Sequence, residues 1–224
     1  VATCNAIHYC QAAPILIDVD KKTLGLSPIA LEAWLEENAF VDTDQVCKLK
    51  NSKKAIKACI PMHTFGHPVE IDTLAKICNV WKLAMIEDAA ESLGSLFKDT
   101  HTGTFGLMGT LSFNGNKIIT TGEGGIVLTN NDDLDQILRT YRDHGMSRKK
   151  RYVHTVPGFN YRMTNMQAAI GVAQLERLDK IVKIKRKIGK AYIDGLKNLT
   201  CLQLPIEETG HADNIYWVFG IVLK

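Results

Sequence analysis

The sequence predicts an α/β protein with a mostly parallel central sheet and helices on the faces of that sheet. Two observations carry the prediction. Short apolar runs that end in carboxylates alternate with segments of helical spacing, the rhythm of βαβ units. The 224 residues are 46% hydrophobic and 23% charged, with only 17 Gly and 6 Pro, which excludes a disordered tail or a collagen-like repeat. A chain of this length hides about 70% of its unfolded surface and can build one large core.

The first element is Pro14 to Asp20, a buried strand ending in carboxylates. Ser27-Pro28 then opens a capped helix over Ala30 to Glu37, with proline at its first position. Lys54 to Pro61 follows as a strand, Ile71 to Cys78 as a helix with Ile71, Leu74, Ala75 and Cys78 on one face, and Leu83 to Ile86 as a short strand ending at Glu87-Asp88. A stretch of small residues from Gly103 to Gly125 leads into a strand at Ile126 to Thr129. Asp132 to His144 is helical. From Thr164 onward, Ile170, Leu178, Ile181, Ile184, Ile188, Tyr192 and Leu196 predict one long amphipathic helix. A last strand is expected over Tyr216 to Leu223, and no internal repeat is present.

The chemistry-bearing residues cluster around the strand ends, where ligands of such sheets bind. Asp88 follows a buried strand; it either answers a cation or donor, or caps a following helix in the capping-box form Asp88-Ala89-Ala90-Glu91. Lys117 lies in a segment otherwise apolar or small, so it either snorkels to solvent or serves as a nucleophilic amine. His63 is equally readable as a loop hydrogen-bonder or an active-site group. Gly122-Glu123-Gly124-Gly125 matches neither the dinucleotide fingerprint nor the Walker loop. Six cysteines show no C-x-x-C pair and no histidine at finger spacing, which removes the usual zinc and redox motifs; most are expected to be small buried apolar residues. No metal ligand set is expected.

The net charge of +3 conceals an asymmetry: Met146 to Lys190 holds 12 Lys and Arg against 2 acidic residues, +10, leaving −7 elsewhere. A solvated helix face, a surface for an anionic small molecule and a nucleic-acid stripe all fit that charge, but no recognition motif supports the last. With no spanning apolar run and no signal peptide at the start, the expected location is cytoplasmic, without membrane or nucleic-acid partners.

A strand-end Asp, a Ser five residues before a Lys and glycines just after it are together the parts that pyridoxal phosphate needs. Three stretches in order, Glu87 to Gly94, Ser112 to Gly125 and Pro157 to Asn165, resemble the signatures of the DegT/DnrJ/EryC1/StrS aminotransferases. The resemblance runs through essentially the whole chain. It implies the fold type I architecture of pyridoxal-phosphate-dependent transferases, with residues 1–165 forming most of the cofactor-binding domain and 166–224 a connecting helix and the start of the small domain. Lacking an initiator Met and stopping at a strand end, the chain is expected to be a fragment truncated at both ends and inactive alone, with the Gly-Thr loop for the cofactor phosphate lying before Val1.

The resemblance also implies roles. Lys117 would hold the cofactor as an internal aldimine and shuttle a proton, Asp88 would pair with the pyridine nitrogen, and Ser112 would bind the phosphate. Glu91 stands where many members carry His or Gln near the ring oxygen, a departure that leaves its role open. Asn160 would bind cofactor, and Arg162 the substrate phosphates, in a neighbouring subunit of a homodimer with shared sites. His63 would line the substrate pocket. The implied activity is transfer of an amino group, with glutamate as donor, to a nucleoside-diphosphate keto-sugar. A 4-keto-6-deoxy sugar for surface polysaccharide or nonulosonic acid synthesis fits the motifs best. A non-catalytic sensor of cofactor or sugar nucleotide is the rival, and retention of Lys117 argues against it, because binding alone does not need that amine.

Overall fold

A computed structural model describes residues 1–224. Helix α1 (Ala2–Tyr9) is followed by an irregular segment and by α2 (Pro28–Asn38). The Ser27 side chain accepts from the Ala30 amide at the α2 N-terminus, with proline at the first turn, as the sequence predicts. A hairpin of β1 (Ala39–Val41) and β2 (Cys47–Leu49) precedes β3 (Ala58–Cys59), α3 (Ile71–Val80) and β4 (Ala84–Asp88). Strands β5 (Leu96–Phe97) and β6 (Thr100–His101) lead to β7 (Met108–Ser112) and β8 (Gly125–Leu128). Helices α4 (Asp132–Arg142), α5 (Asn165–Leu175) and α6 (Leu178–Leu196) come next, then short strands β9 (Leu202–Gln203), β10 (Glu208–Thr209), β11 (Ala212–Asp213) and β12 (Val222–Leu223).

The central sheet has the order β3-β4-β7-β8; β3, β4 and β7 are parallel, and β8 runs antiparallel to β7. Parallel neighbours need a crossover, and α3 supplies the one between β3 and β4. A second sheet, β10-β11-β5-β6, is antiparallel. Two apolar clusters support this frame. The larger gathers Leu31 and Leu35 of α2, Ile71, Leu74 and Ile77 of α3, and Met85 of β4. The smaller joins Ala89, Leu93, Leu111, Ile118, Ile119, Val182 and Ile215, and it lies under the strand ends. No helix is long and apolar enough to cross a membrane.

Several expectations change. Pro14 to Asp20 forms no strand: Leu16 is exposed, and the segment contributes only a single bridge, Val19 to Leu26. An apolar run becomes a strand only where another strand answers its backbone groups. The expected strand over Lys54 to Pro61 shrinks to Ala58–Cys59. The long helix from Thr164 is two helices, interrupted at Glu176 and Arg177. The apolar stripe hid that break, because the eight-residue step from Ile170 to Leu178 is about 80° off register at 3.6 residues per turn. The last strand is confined to Val222–Leu223; Tyr216 sits at φ 52°, which turns the chain toward Phe65. Cys47, Cys59 and Cys78 are buried, whereas Cys4 is half-buried and Cys10 and Cys201 are exposed.

Candidate active site

Alternation along β4 divides its last two residues between opposite faces. Glu87 is fully buried, and Asp88 is half-buried at the strand's carboxyl end. No helix starts at Asp88, so the capping-box reading fails. The carboxylate instead closes a turn, accepting from the Ala90 amide at 3.2 Å, and it accepts from the Thr3 hydroxyl of α1 at 2.6 Å.

Glu87 is the post on which that strand end is fixed. Its carboxylate accepts from the amides of Gly103, Phe105 and Gly106 at 2.7, 2.6 and 2.7 Å, and from His63 Nε2 at 3.1 Å. The Val69 amide donates to His63 Nδ1, which assigns the ring proton to Nε2. Burial alone would raise the Glu87 carboxyl, but the hydrogen bonds from His63 and the loop amides outweigh it and hold the group below its ordinary range. His63, expected to line the substrate pocket, is fully buried with both ring nitrogens engaged; its backbone amide also donates to the Asp88 carbonyl. It braces the strand end from beneath.

Lys117 is carried by the connection between β7 and β8, which pair with Ser112 opposite Gly125. Its amide donates to the Asn114 carbonyl at 3.0 Å, and the next two residues, Ile118 and Ile119, are buried in the smaller core cluster. The lysine is thus rooted in the core while its ammonium reaches out over the Trp217 ring, 4.0 Å from the ring centre. Ser112 lies at the end of β7, where its hydroxyl accepts from the Asn114 amide at 3.3 Å.

Glu91 joins these groups. Its carboxylate accepts from the Phe65 amide at 2.8 Å, at a residue held at φ 58°. Burial pushes the carboxyl above its ordinary range, Asp88 adds to the rise, and the Lys117 charge opposes it. Asp88 ends β4, Glu91 follows three residues later, and Lys117 follows the end of the parallel neighbour β7, so all three belong to segments that leave the carboxyl ends of adjoining strands.

Asn160 and Arg162 form a hydrogen-bonded group with Asp143 and His144. Arg162 pairs with Asp143 at 2.9 Å, donates from Nε to Asn160 Oδ1 at 2.9 Å, and has Nη2 3.2 Å from His144 Nε2. Phe159 and Tyr161 stack beside them, both exposed. Arg139, Arg142, Arg148, Lys149 and Arg151 line an adjoining cavity of about 460 Å³. Sequence reasoning missed Thr3, Glu87 and Trp217. Strand alternation was a signal for Glu87; nothing local marks Thr3 or Trp217, whose partners lie far along the chain.

The solved structure of S. venezuelae DesV in complex with a ketimine intermediate matches 99% of this chain with a TM-score of 0.83 and 27% identity, and the match covers 55% of that protein. The fold is that of the pyridoxal-phosphate-dependent aminotransferases. The model of the DegT/DnrJ/EryC1/StrS aminotransferase family matches residues 1–224, and the chain belongs to that family. A GDP-perosamine synthase of Escherichia coli O157:H7 is 38% identical over the whole chain, and a putative pyridoxal phosphate-dependent aminotransferase, EpsN, of Bacillus subtilis is 38% identical over 223 residues. The chain spans 56% and 54% of those two proteins.

Proposed function

We propose that this chain carries the reacting half of a pyridoxal-phosphate-dependent aminotransferase that aminates a keto-sugar bound to a nucleoside diphosphate. The observation that carries the reading is that Asp88 ends β4 while Lys117 follows the end of the parallel neighbour β7, so that both stand at the carboxyl ends of adjoining strands. The donor set suits the cofactor: a carboxylate for the pyridine nitrogen, an amine for the aldehyde and the Ser112 hydroxyl for the phosphate. Pyridoxal phosphate supplies an electron sink that lets an amino group pass between two carbon skeletons.

The protein's own groups do the rest. Asp88, fixed by Thr3 and the Ala90 amide, keeps a proton on the pyridine nitrogen. Lys117 would hold the aldehyde carbon and move a proton at the reacting carbon. Glu91, raised by burial, would stand near the ring oxygen, where a protonated carboxyl donates and a carboxylate repels. The names of two relatives, GDP-perosamine synthase and GDP-4-keto-6-deoxymannose-3-dehydratase, favour a GDP-bound 4-keto-6-deoxy sugar as acceptor; glutamate as donor is what the family resemblance implies. We also infer a homodimer with shared sites. The exposed Met166, Ile170 and Val172 on α5, and the exposed Phe159–Tyr161 stack, support it.

The test is the full-length protein with pyridoxal phosphate, glutamate and GDP- or dTDP-4-keto-6-deoxyhexose, followed by mass spectrometry. Replacement of the sugar ketone by an amine, lost in Lys117→Ala, is expected. No glutamate-dependent change in the bound cofactor's absorbance, and no aminated sugar, would sink the reading.

A further inference from the structure

Trp217 lies in none of the motifs that pointed to Lys117, yet it holds that lysine in two ways. The Lys117 ammonium sits 4.0 Å from the centre of its ring. Its indole Nε1 donates to the Asn116 carbonyl at 2.7 Å, so it also fixes the peptide immediately before the lysine. Trp is the aromatic side chain whose face best receives a cation.

The tryptophan is itself restrained. Its amide donates to the Phe65 carbonyl at 2.9 Å, and its carbonyl accepts from Lys185 Nζ of α6 at 3.0 Å. Its neighbour Tyr216 is buried, with Gly189 of α6 closely apposed to its ring. Phe65 is also the residue whose amide meets Glu91. A hydrogen-bonded path thus runs from Glu91 through the backbone of Phe65 to Trp217, and from there to the lysine.

We infer that Trp217 is a positioning residue for the Lys117 amine: its ring face sets the direction in which the amine points, and its N–H fixes the turn that carries it. The inference rests on the reading of Lys117 as the group that bonds the cofactor aldehyde. In that bond the amine nitrogen adds to the aldehyde carbon and water leaves.

Two measurements on the full-length protein test it. In protein labelled with 5-fluorotryptophan, the Trp217 fluorine signal is the one lost in Trp217→Phe. Lys117→Met is expected to move it more than any other tryptophan signal, and an unmoved signal overturns the contact. The second measurement adds pyridoxal phosphate and quenches with borohydride, which delivers hydride to the new carbon–nitrogen bond and makes the label permanent for peptide mapping. Initial labelling at Lys117 is expected to fall at least fivefold in Trp217→Leu and less in Trp217→Phe, which keeps an aromatic face, with equal labelling at saturation. Equal initial rates in Trp217→Leu and the wild type overturn the positioning role. A wild type that takes up no label at Lys117 defeats the cofactor reading, and the positioning role with it, even where the fluorine shift upholds the contact.

Discussion

The Thr3 hydroxyl donates to Asp88 Oδ2 at 2.6 Å, tying the first helix to the carboxylate at the end of β4 across 85 residues of sequence. A hydrogen bond to a charged group contributes about 1.5–3 kcal/mol, so Thr3→Val should slow amination by about tenfold to a hundredfold. Asp88→Asn should cost several orders of magnitude, because a neutral amide does not keep the pyridine nitrogen protonated. Steady-state rates decide. A Thr3→Val enzyme as fast as the wild type makes the bond incidental, and a loss below about tenfold in Asp88→Asn leaves Asp88 a turn former.

Glu87→Gln should destabilise the fold by about 3 kcal/mol. The amide's NH₂ would face the donating amides of Gly103, Phe105 or Gly106 and leave buried donors unanswered. Urea denaturation measures this. An unchanged midpoint would mean that the 103–106 loop does not depend on the carboxylate.

Acid should weaken the protein in two stages. His67 is buried and held below its ordinary value of 6.5, chiefly by desolvation. The unfolded chain therefore takes up its proton first, and stability declines as the pH falls below 6.5. Glu87, with its carboxyl below the ordinary 4.5, adds stability that is complete above that value and is lost as the pH falls further. His67→Phe should flatten the upper stage of a melting-temperature profile and leave the lower one.

Glu91 has the opposite sign. Its carboxyl is raised above 4.5, so the unfolded chain releases its proton first, and stability declines as the pH climbs through and above that value. In Glu91→Gln the side-chain oxygen can still accept from the Phe65 amide, and the decline should disappear. A decline of equal size in the variant would assign it to another group.

Mixing full-length Lys117→Ala with Arg162→Ala should restore part of the activity if Arg162 completes a partner's site, since some heterodimers regain one intact pocket. The pairing of Arg162 with Asp143 and Asn160 gives it a local task as well. No recovery, with subunit exchange confirmed and each variant inactive, would leave it only that task.

What the sequence disclosed follows the range of the forces involved. Helices α2 and α3 were legible because their signals are local: Ser27 before Pro28, and apolar residues at steps of three and four from Ile71. Asp88 and Lys117 stood out because each is a charge set in an apolar or small-residue context. Pro14 to Asp20 misled because nothing in the run itself reveals whether another strand will meet it. The break at Glu176 was hidden by a step spanning the junction, and the partners of Thr3 and Trp217 lie 85 and 101 residues away.

Those separations bear on the order in which the protein can be made. The ribosome delivers Lys117 well before Trp217, and Ala89 and Leu93 long before Val182 and Ile215, with which they share a cluster. Closing such distant pairs carries a loop-entropy cost that local turns do not, so topology of this kind slows folding. The nascent amine would spend that interval without its indole partner. The pocket should accordingly gain its final shape only after the 215–217 segment has docked, as a late step in biogenesis.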